Sequence, residues 1–510
     1  MPHSEATSKR YCTTNPKACQ TPGRTPVLAR LAAPWHGAWR QVERFQALPE
    51  RWQALVVLGG IALALAVIYR PLGLPWALAS ILLLGILAVL RLDLALCAAL
   101  FVLPLYAQPA ALAGRRFALF EILVLIGLAA GALHTLHHTL AAPRRSLRTR
   151  WRELPWTELL PALAFLAVCS GSLLWSTDPA YLTADGTSLL HISLREYRVT
   201  IVEPFLLYPL LLLAFRGRRE RAWWPADALV LSAALVGLGG IVQVLDPHLH
   251  AEVADGVRRA SSVYGLFSAN TLALFLGRVL AVAAAGALFL PGAGRRRILY
   301  AAALLPIGAA FLLTYSRGGY VALALVLLTF GLLRSRLLLL AEVGLGAAAG
   351  LFFWLSGKLG RLLALDTFGN RIVMWQNTWL LVRERPLLGW GLDTYYHHYS
   401  RRFPGAEAYW NPNNGLLEFW TRIGLVGLAA AAWLYGAFFA GALRLFRRAA
   451  EPAARVLALG LLGSVVYALG HGLLDGLFFA PDWAATFWTA YALVALLRLP
   501  LSPDPPPSAA

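Results

Sequence analysis

Charged residues are scarce in this chain, and acidic residues most of all. Only 14% of the residues are charged, whereas 58% are hydrophobic and the mean hydropathy is +0.61. Soluble domains carry about 25% charged residues, so this composition excludes an ordinary water-soluble protein. Lysine and arginine number 45 against 26 acidic residues, which leaves a net charge of +19. Because the arginines gather in short clusters between apolar runs, we attribute the excess to membrane topology and expect no nucleic-acid binding.

Cysteine is also rare, with four residues in the chain. Cys97 and Cys169 fall inside apolar runs, where a free thiol packs as a small hydrophobe. Cys12 and Cys19 lie in a polar segment with no histidine at zinc-ligand spacing. The sequence therefore predicts no disulfide framework, no metal site and no cofactor.

Long apolar runs are what the chain has in abundance. A helix needs about 20 mainly apolar residues to cross a bilayer, and such runs recur throughout the sequence. They do not alternate with polar residues as barrel strands would. We therefore predict an all-α, polytopic transmembrane bundle of about 14 helices. Examples of the runs are Ala54–Tyr69, Trp76–Leu90, Phe117–His134, Val199–Phe215 and Ile423–Leu443.

The arginine clusters predict how the bundle is oriented. Cytoplasmic loops carry an excess of lysine and arginine. The major clusters share one side if each region between them crosses the membrane an even number of times, and both termini are then cytoplasmic. The clusters are Arg144–Arg152, Arg216–Arg221, Arg295–Arg297, Arg334–Arg336 and Arg444–Arg455.

A single transmembrane domain, residues 51–499, is predicted to hold nearly the whole chain. Residues 1–50 are basic and lack the apolar core of a signal peptide, so we expect a disordered cytoplasmic tail. Residues 500–510 are proline-rich and are expected to be a flexible tail. The longest polar segment, residues 357–422, falls between the eleventh and twelfth predicted helices and faces outward. Its tryptophans and apolar patches predict short amphipathic helices at the outer interface.

Arginines on the outward side are the first functional candidates. Arg317 lies between two apolar helices, where it could hold a diphosphate bidentately or reach lipid headgroups. Arg371 opens a predicted amphipathic helix and could instead be a solvated surface residue. Arg195 lies shortly before Glu203, whose charge is costly inside a bilayer. For Glu203, an ion pair with Arg195 or Arg198 competes with a substrate role.

Asparagines and histidines supply the other candidates. Asn413 and Asn414 can cap the helix that follows them, and Gly424 and Gly427 in that helix allow close packing. A capped helix does not explain the density of polar residues in the preceding loop, which are Asp393, His397, His398 and Glu407. Three further polar residues interrupt apolar segments and are expected to make interhelical hydrogen bonds rather than ligand contacts. They are Asn270, His471 and Asp475.

Three motifs follow one another along the chain. They are the turn Ser316-Arg317-Gly318, the helix from Arg371 through Trp375 that leads to Pro386-Leu387-Leu388-Gly389-Trp390-Gly391, and the set Asn413, Asn414, Gly424 and Gly427. Together they resemble the motifs of the O-antigen ligase and O-antigen polymerase superfamily of bacterial inner-membrane glycosyltransferases. In that superfamily the third motif is a histidine, then Asn, Ser or Gln, nine residues, and Gly-x-x-Gly.

The resemblance implies a helical bundle whose large periplasmic loop closes over an outward cavity in the bacterial inner membrane. It implies transfer of a glycan from an undecaprenyl-diphosphate carrier to an acceptor glycolipid, glycan or other hydroxyl-bearing molecule, without a metal. Arg317 and Arg371 would neutralise the diphosphate leaving group. With Asn413 and Glu418 they are our catalytic candidates. The substrate-binding candidates are Arg195, Asn270, His397, His398 and Asn414.

The chain departs from the family signature at its histidine, where it has Asn413. An amide does not accept a proton at physiological pH, so this position cannot supply a general base. Asn413 could orient the acceptor while stabilisation of the leaving group drives the reaction. Another residue could be the base, with Glu418, His397, His398 and Glu407 as candidates. The protein could also be an altered relative that binds lipid-linked glycans.

A flippase or transporter of polyprenyl-linked glycans is the rival from another functional class. Secondary transporters usually show internal repeats and ionisable sites near the middle of the membrane. The sequence has no clear repeat, and its polar residues concentrate in one outward loop. An enzyme is therefore favoured.

Overall fold

The computed structural model describes residues 37–70, 72–112, 115–141, 155–175, 182–183, 186–254, 256–261, 268–355, 366–406 and 409–499. The predicted tails at residues 1–36 and 500–510 lie outside this part of the chain, as do the arginine cluster at 144–152 and the base candidate Glu407.

The described residues fold into helices with two short antiparallel hairpins, which confirms the all-α class. The elements are α1 (37–46), α2 (Glu50–Tyr69), α3 (Leu74–Leu90), α4 (Leu92–Phe101), β1 (Ala110–Leu112), β2 (Arg115–Phe117), α5 (Leu119–Ala141), α6 (Trp156–Trp175), α7 (Leu189–Phe215), α8 (Trp224–Leu245), β3 (Glu252–Ala254), β4 (Val257–Arg259), α9 (Ala269–Phe289), α10 (Arg295–Leu313), α11 (Arg317–Arg334), α12 (Arg336–Leu355), α13 (Asp366–Glu384), α14 (Tyr395–Arg402), α15 (Gly415–Arg448), α16 (Pro452–Gly472) and α17 (Pro481–Arg498).

The long helices make this a multi-pass membrane protein. Within the described ranges, ten helices are long and apolar enough to cross a membrane. Four further apolar helices in this part of the chain are α3, α4, α12 and α17, but α4 has only 10 residues, which is too short to cross a bilayer. The predicted total of about 14 crossings stays a prediction. Large hydrophobic side chains on the outer helices are exposed, as a lipid-facing surface requires. Examples are Leu63, Leu82 and Leu305.

The centre of the bundle is formed by α9, α16 and α17, which are buried along most of their lengths. Tyr467 of α16 donates a hydrogen bond to the Ala273 carbonyl of α9 over 2.8 Å. In a membrane this interior bond satisfies a polar group that lipid could not. The packed centre provides a rigid support for the helix ends that form the candidate site.

Helix α1 departs from the disorder expected for residues 1–50. The ring of Trp39 stacks on that of His137 in α5, with 4.0 Å between ring centroids. The side-chain amide of Gln46 donates to the Leu90 carbonyl over 3.0 Å. Basic, polar composition predicted a free tail, but an aromatic anchor that needs a partner from another helix holds residues 37–46 in place.

The long polar segment contains two helices, α13 and α14, and we refer to residues 366–414 as the cap. Helix α15 then begins at Gly415, earlier than the apolar run from Ile423 indicated. The Asn414 side chain explains the early start, because its Oδ1 accepts a hydrogen bond from the Leu417 N–H over 3.1 Å. The stretch Gly415–Arg422, predicted as loop, is therefore the first part of a capped helix.

Candidate functional site

A kink in α15 locks this helix to the cap. Gly424 has φ 68° and ψ −173°, a backbone conformation that is essentially restricted to glycine. The kink leaves carbonyls and N–H groups without helical partners, and the cap segment Pro386–Gly391 supplies them. The Trp390 and Gly391 N–H groups donate to the carbonyls of Thr421 and Arg422 (2.7 and 2.9 Å), and the Leu425 and Val426 N–H groups donate to the carbonyls of Pro386 and Leu387 (2.9 and 3.2 Å).

This lock corrects the expectation that Gly424 serves close helix packing. Only glycine fits at position 424, because φ is positive and the Leu387 carbonyl occupies the space that a Cβ would need. Two sequence motifs that are far apart in the chain, PLLGWG and Gly-x-x-Gly, are therefore the two halves of one structural feature.

The turn Leu473–Leu477, between α16 and α17, joins two of the predicted site residues. The Arg371 guanidinium of α13 donates a hydrogen bond to the Leu474 carbonyl. The Asn414 side-chain amide donates to the Leu473 carbonyl over 3.1 Å. This turn therefore fixes Arg371 of the cap beside the first turn of α15.

Glu418 binds the other end of the same turn and is almost fully buried. Its Oε2 accepts the Leu477 N–H over 3.2 Å, and its Oε1 pairs with Arg422 over 3.2 Å. Both carboxylate oxygens are thus engaged, so Glu418 is suited to positioning the turn rather than to taking a proton from a substrate. Arg422 also reaches Glu196 of α7 at 3.3 Å, which connects a third helix to the site.

The turn Thr314–Ser316 positions Arg317 as the first residue of α11. Ser316 caps the helix by accepting the Gly319 N–H over 3.3 Å, and Arg259 of β4 donates to the Thr314 carbonyl over 2.8 Å. Ser316 Oγ also lies 3.3 Å from His471 Nε2 of α16, which confirms the interhelical bond expected for His471. The Arg317 side chain is exposed.

The start of α11 meets the Leu473–Leu477 turn. A Cβ built on Gly318 would lie 3.6 Å from the Leu474 side chain. Arg371, Asn414 and Glu418 therefore bind one turn, and the helix that Arg317 opens begins beside it.

Asn413 lies at the edge of this group in a left-handed backbone conformation, with φ 46°. Its N–H donates to the Asn411 side-chain oxygen over 2.8 Å, and the Pro412 carbonyl accepts the Trp375 indole N–H over 2.9 Å. Asparagine and histidine both occur at positive φ more often than other non-glycine residues. The backbone at this position therefore accommodates either side chain.

Asp393 is the centre of a second polar group, with φ 56°. Its carboxylate lies 4.0 Å from the Arg422 guanidinium. Burial raises the pKa of the Asp393 carboxyl, while the charges of Arg422, Arg195 and His397 oppose that rise. Arg195 and His397 thus lie around Asp393. The His398 ring packs against that of Trp390 at an angle of 42°, with 4.5 Å between ring centroids.

Two sequence candidates are set apart from the Leu473–Leu477 turn. Glu203 pairs with Arg198 at 3.5 Å, and Arg198 also reaches Glu121 at 3.0 Å, so Glu203 belongs to a structural ion cluster. The sequence offered Arg195 or Arg198 as the ion-pair partner of Glu203, and the structure shows that the partner is Arg198. Asn270 lies in the first turn of α9, and within the described ranges no side-chain hydrogen bond joins it to the other candidates.

Asp475 is a candidate site residue that the sequence underrated. It was expected to bond across helices, but its Oδ1 accepts the N–H of the adjacent Gly476 over 2.8 Å. Its side chain is half-buried in the same turn that holds Arg371 and Asn414. Burial raises the pKa of the Asp475 carboxyl, against the opposing effects of the Gly476 N–H and the Arg371 charge. Its position after an apolar helix was the only sequence signal.

Fold and site together define a multi-pass membrane protein whose candidate site combines arginines and a carboxylate at the ends of its helices. In the part of the chain that the structure describes, no three histidine, cysteine, aspartate or glutamate side chains are grouped to hold a metal ion.

Residues 301–432 match the family model for O-antigen ligase. This match confirms the predicted resemblance to an O-antigen ligase-like family and supports a function in glycan transfer. No curated protein matches the chain. The matched residues include Arg317, Arg371 and Gly424, whereas the Leu473–Leu477 turn lies beyond them.

Proposed function

We propose that this protein transfers a glycan from an undecaprenyl-diphosphate carrier to a hydroxyl group of an acceptor glycolipid or glycan. The reaction would occur at the outer face of the bacterial cytoplasmic membrane, with both chain termini inside. The observation that carries the proposal is the hydrogen bond from Arg371 to the Leu473–Leu477 turn, beside which Arg317 opens α11. Neither arginine belongs to a predicted cytoplasmic cluster.

The arrangement of these groups beside the turn suits an anionic leaving group. Departure of the diphosphate concentrates negative charge on its oxygens, and guanidinium groups bind such oxygens bidentately. Helices α11 and α15 both begin beside the turn, and the positive ends of their dipoles add to the attraction. Two arginines and two helix N-termini thus favour the charge that develops as the glycosidic bond to phosphate breaks.

Asp475 supplies the general base that Asn413, an amide, cannot provide. In the proposed step, the acceptor oxygen attacks the anomeric carbon, and the bond from that carbon to the phosphate oxygen breaks. The hydroxyl proton passes to the Asp475 carboxylate, and undecaprenyl diphosphate leaves with the electron pair. A raised pKa makes Asp475 a stronger base than an ordinary aspartate while leaving it able to ionise.

This role predicts a pH profile for transfer. The base must be deprotonated, so the rate should fall as the pH drops through the Asp475 pKa, and the raised pKa moves that fall above the usual aspartate range. The Asp475→Asn variant should lose about 10²-fold or more of its rate and also lose this acidic limb. Initial rates from a defined undecaprenyl-diphosphate oligosaccharide between pH 4 and 8 measure both (roughly the range in which carboxyl groups of raised pKa titrate). An unchanged limb in the variant would assign the proton to another group.

Restoring the family histidine tests what Asn413 does. The Asn413→His variant should fold, because histidine tolerates the left-handed φ of this position. If Asn413 orients the acceptor while Asp475 takes the proton, the variant should transfer glycan within about tenfold of the wild-type rate. The assay uses purified protein, a defined undecaprenyl-diphosphate oligosaccharide and several acceptors.

A second candidate function is the binding of lipid-linked glycans without transfer, and the amide at position 413 is the observation that favours it. A folded wild-type protein that transfers to none of the acceptors, beside an Asn413→His variant that does transfer, would favour this candidate over the enzyme.

A further inference from the structure

An exposed pair of stacked aromatic rings lies on the cap. The rings of Trp410 and Tyr396 are 4.5 Å apart and inclined by only 22°. Trp410 nevertheless remains 68% exposed. Because the tyrosine covers one face of the indole, the opposite face is open.

The open indole is connected to the candidate site through a short, anchored loop. Trp410 directly precedes Asn411, whose side chain accepts the Asn413 N–H over 2.8 Å. The next residue, Pro412, is held by the indole N–H of Trp375 in α13. A molecule lying on Trp410 would therefore be at a set position relative to Asn413.

A histidine borders the pair. The His397 ring lies edge-on to Tyr396, with 5.5 Å between ring centroids. A flat apolar face bordered by hydrogen-bonding groups matches the chemistry of a pyranose ring, which has a C–H face and hydroxyls around its edge. Tryptophan provides such a surface at a small entropic cost because it has two side-chain torsions.

A second exposed tryptophan of the cap shows the contrast. Trp379 of α13 is 44% exposed and meets Trp420 edge-on at 5.4 Å. Exposed side chains on the same helix are both apolar and polar, and they include Leu380, Gln376 and Arg383. Trp379 therefore lacks the parallel aromatic support that Tyr396 gives to the ring of Trp410.

We propose that Trp410, supported by Tyr396 and bordered by His397, is a glycan-binding subsite on which a sugar ring of the transferred or accepting chain stacks. The inference rests on the proposed function, since it names where that function holds its carbohydrate. In this subsite, His397 would contact the substrate from beside Tyr396, as its predicted substrate-binding role requires.

Binding of lipid-free glycans tests the subsite. Full-length protein in nanodiscs is applied to an array of immobilised bacterial O-antigen oligosaccharides, and affinity is measured for each oligosaccharide bound. Wild type should bind at least one of them. Trp410→Ala should weaken that binding about tenfold, equivalent to about 1.4 kcal/mol. Trp410→Phe, which keeps an aromatic face, should retain most of it, and Trp379→Ala is the matched control that should bind as wild type does.

Several outcomes would overturn the subsite. These are a wild-type protein that binds no oligosaccharide on the array, a Trp410→Ala variant that binds as wild type does, or an equal loss in Trp379→Ala. A Trp410→Ala variant that keeps its glycan affinity but inserts less tightly into lipid would identify the ring as a membrane anchor instead.

The same protein preparations separate this inference from the proposed transfer. Arg317→Ala should keep its affinity for lipid-free glycans, because the arginine is assigned to the diphosphate. Glycan binding that depends on Trp410 in a protein that transfers nothing would retain the subsite and reject the enzyme. Normal transfer and normal binding in Trp410→Ala would reject the subsite alone.

Discussion

Replacing Arg317 or Arg371 by alanine is expected to slow glycan transfer by about 10²–10³-fold, the usual loss when one stabilising donor is removed from a site of developing charge. Each guanidinium would neutralise part of the charge on the diphosphate as it leaves. No side chain of the turn can replace the two hydrogen bonds that a guanidinium donates to a phosphate. Lysine should restore only part of the rate, because an ammonium group binds phosphate as a point charge. Initial rates with a defined undecaprenyl-diphosphate oligosaccharide measure the loss.

Matched arginines on the same helices separate this effect from a general loss of charge. Arg383 is exposed near the end of α13, and Arg334 ends α11, about 26 Å from Arg317 along an 18-residue helix. The Arg383→Ala and Arg334→Ala variants should transfer at nearly the wild-type rate. If Arg317→Ala and Arg371→Ala do so as well while remaining folded, the diphosphate does not bind at the Leu473–Leu477 turn.

The substitution Gly424→Ala is expected to destabilise the protein by about 3 kcal/mol or more and to abolish transfer. An alanine would have to hold a backbone conformation that is essentially restricted to glycine, and its Cβ would collide with the Leu387 carbonyl. The four hydrogen bonds between the cap and the kink would then be lost or rearranged. Thermal unfolding in detergent, followed together with transfer, measures both effects.

Gly436 provides the control for this prediction, because it lies in the same helix with open space where a Cβ would point. Gly436→Ala should leave the unfolding temperature unchanged or slightly higher, since alanine favours a helix over glycine by about 1 kcal/mol. Equal stability of the two variants would show that the kink is not what attaches the cap to α15.

Several properties of the site could be anticipated from local sequence. Asn414 was expected to cap a helix and does so, and the order in the cap follows from its tryptophans and apolar patches. Arg317 and Arg371 were recognised because they stand outside the cytoplasmic arginine clusters. Their chemical roles remain predictions, as does the side of the membrane on which the cap lies.

Other properties depended on contacts that local sequence does not encode. Glu418 was a candidate base, but both of its oxygens are engaged by Leu477 and Arg422. Asp475 was taken for an interhelical bridge, yet it lies in the turn that holds Arg371. Hydrogen-bond partners that are 59 or 103 residues apart in the chain cannot be found from spacing within a motif.

The sequence by itself determined that this is a helical, multi-pass membrane protein with a segment that resembles O-antigen ligases. Bilayer thickness imposes the length of apolar runs, and the family motifs are local enough to survive as patterns of residues. Only the tertiary structure decided that Pro386–Gly391 supplies the hydrogen-bond partners at the Gly424 kink and that α13 and the starts of α11 and α15 meet at the Leu473–Leu477 turn. The reason is physical. A helix kink or a helix end leaves backbone N–H and carbonyl groups without helical partners, and in a membrane protein those partners must come from elsewhere in the chain.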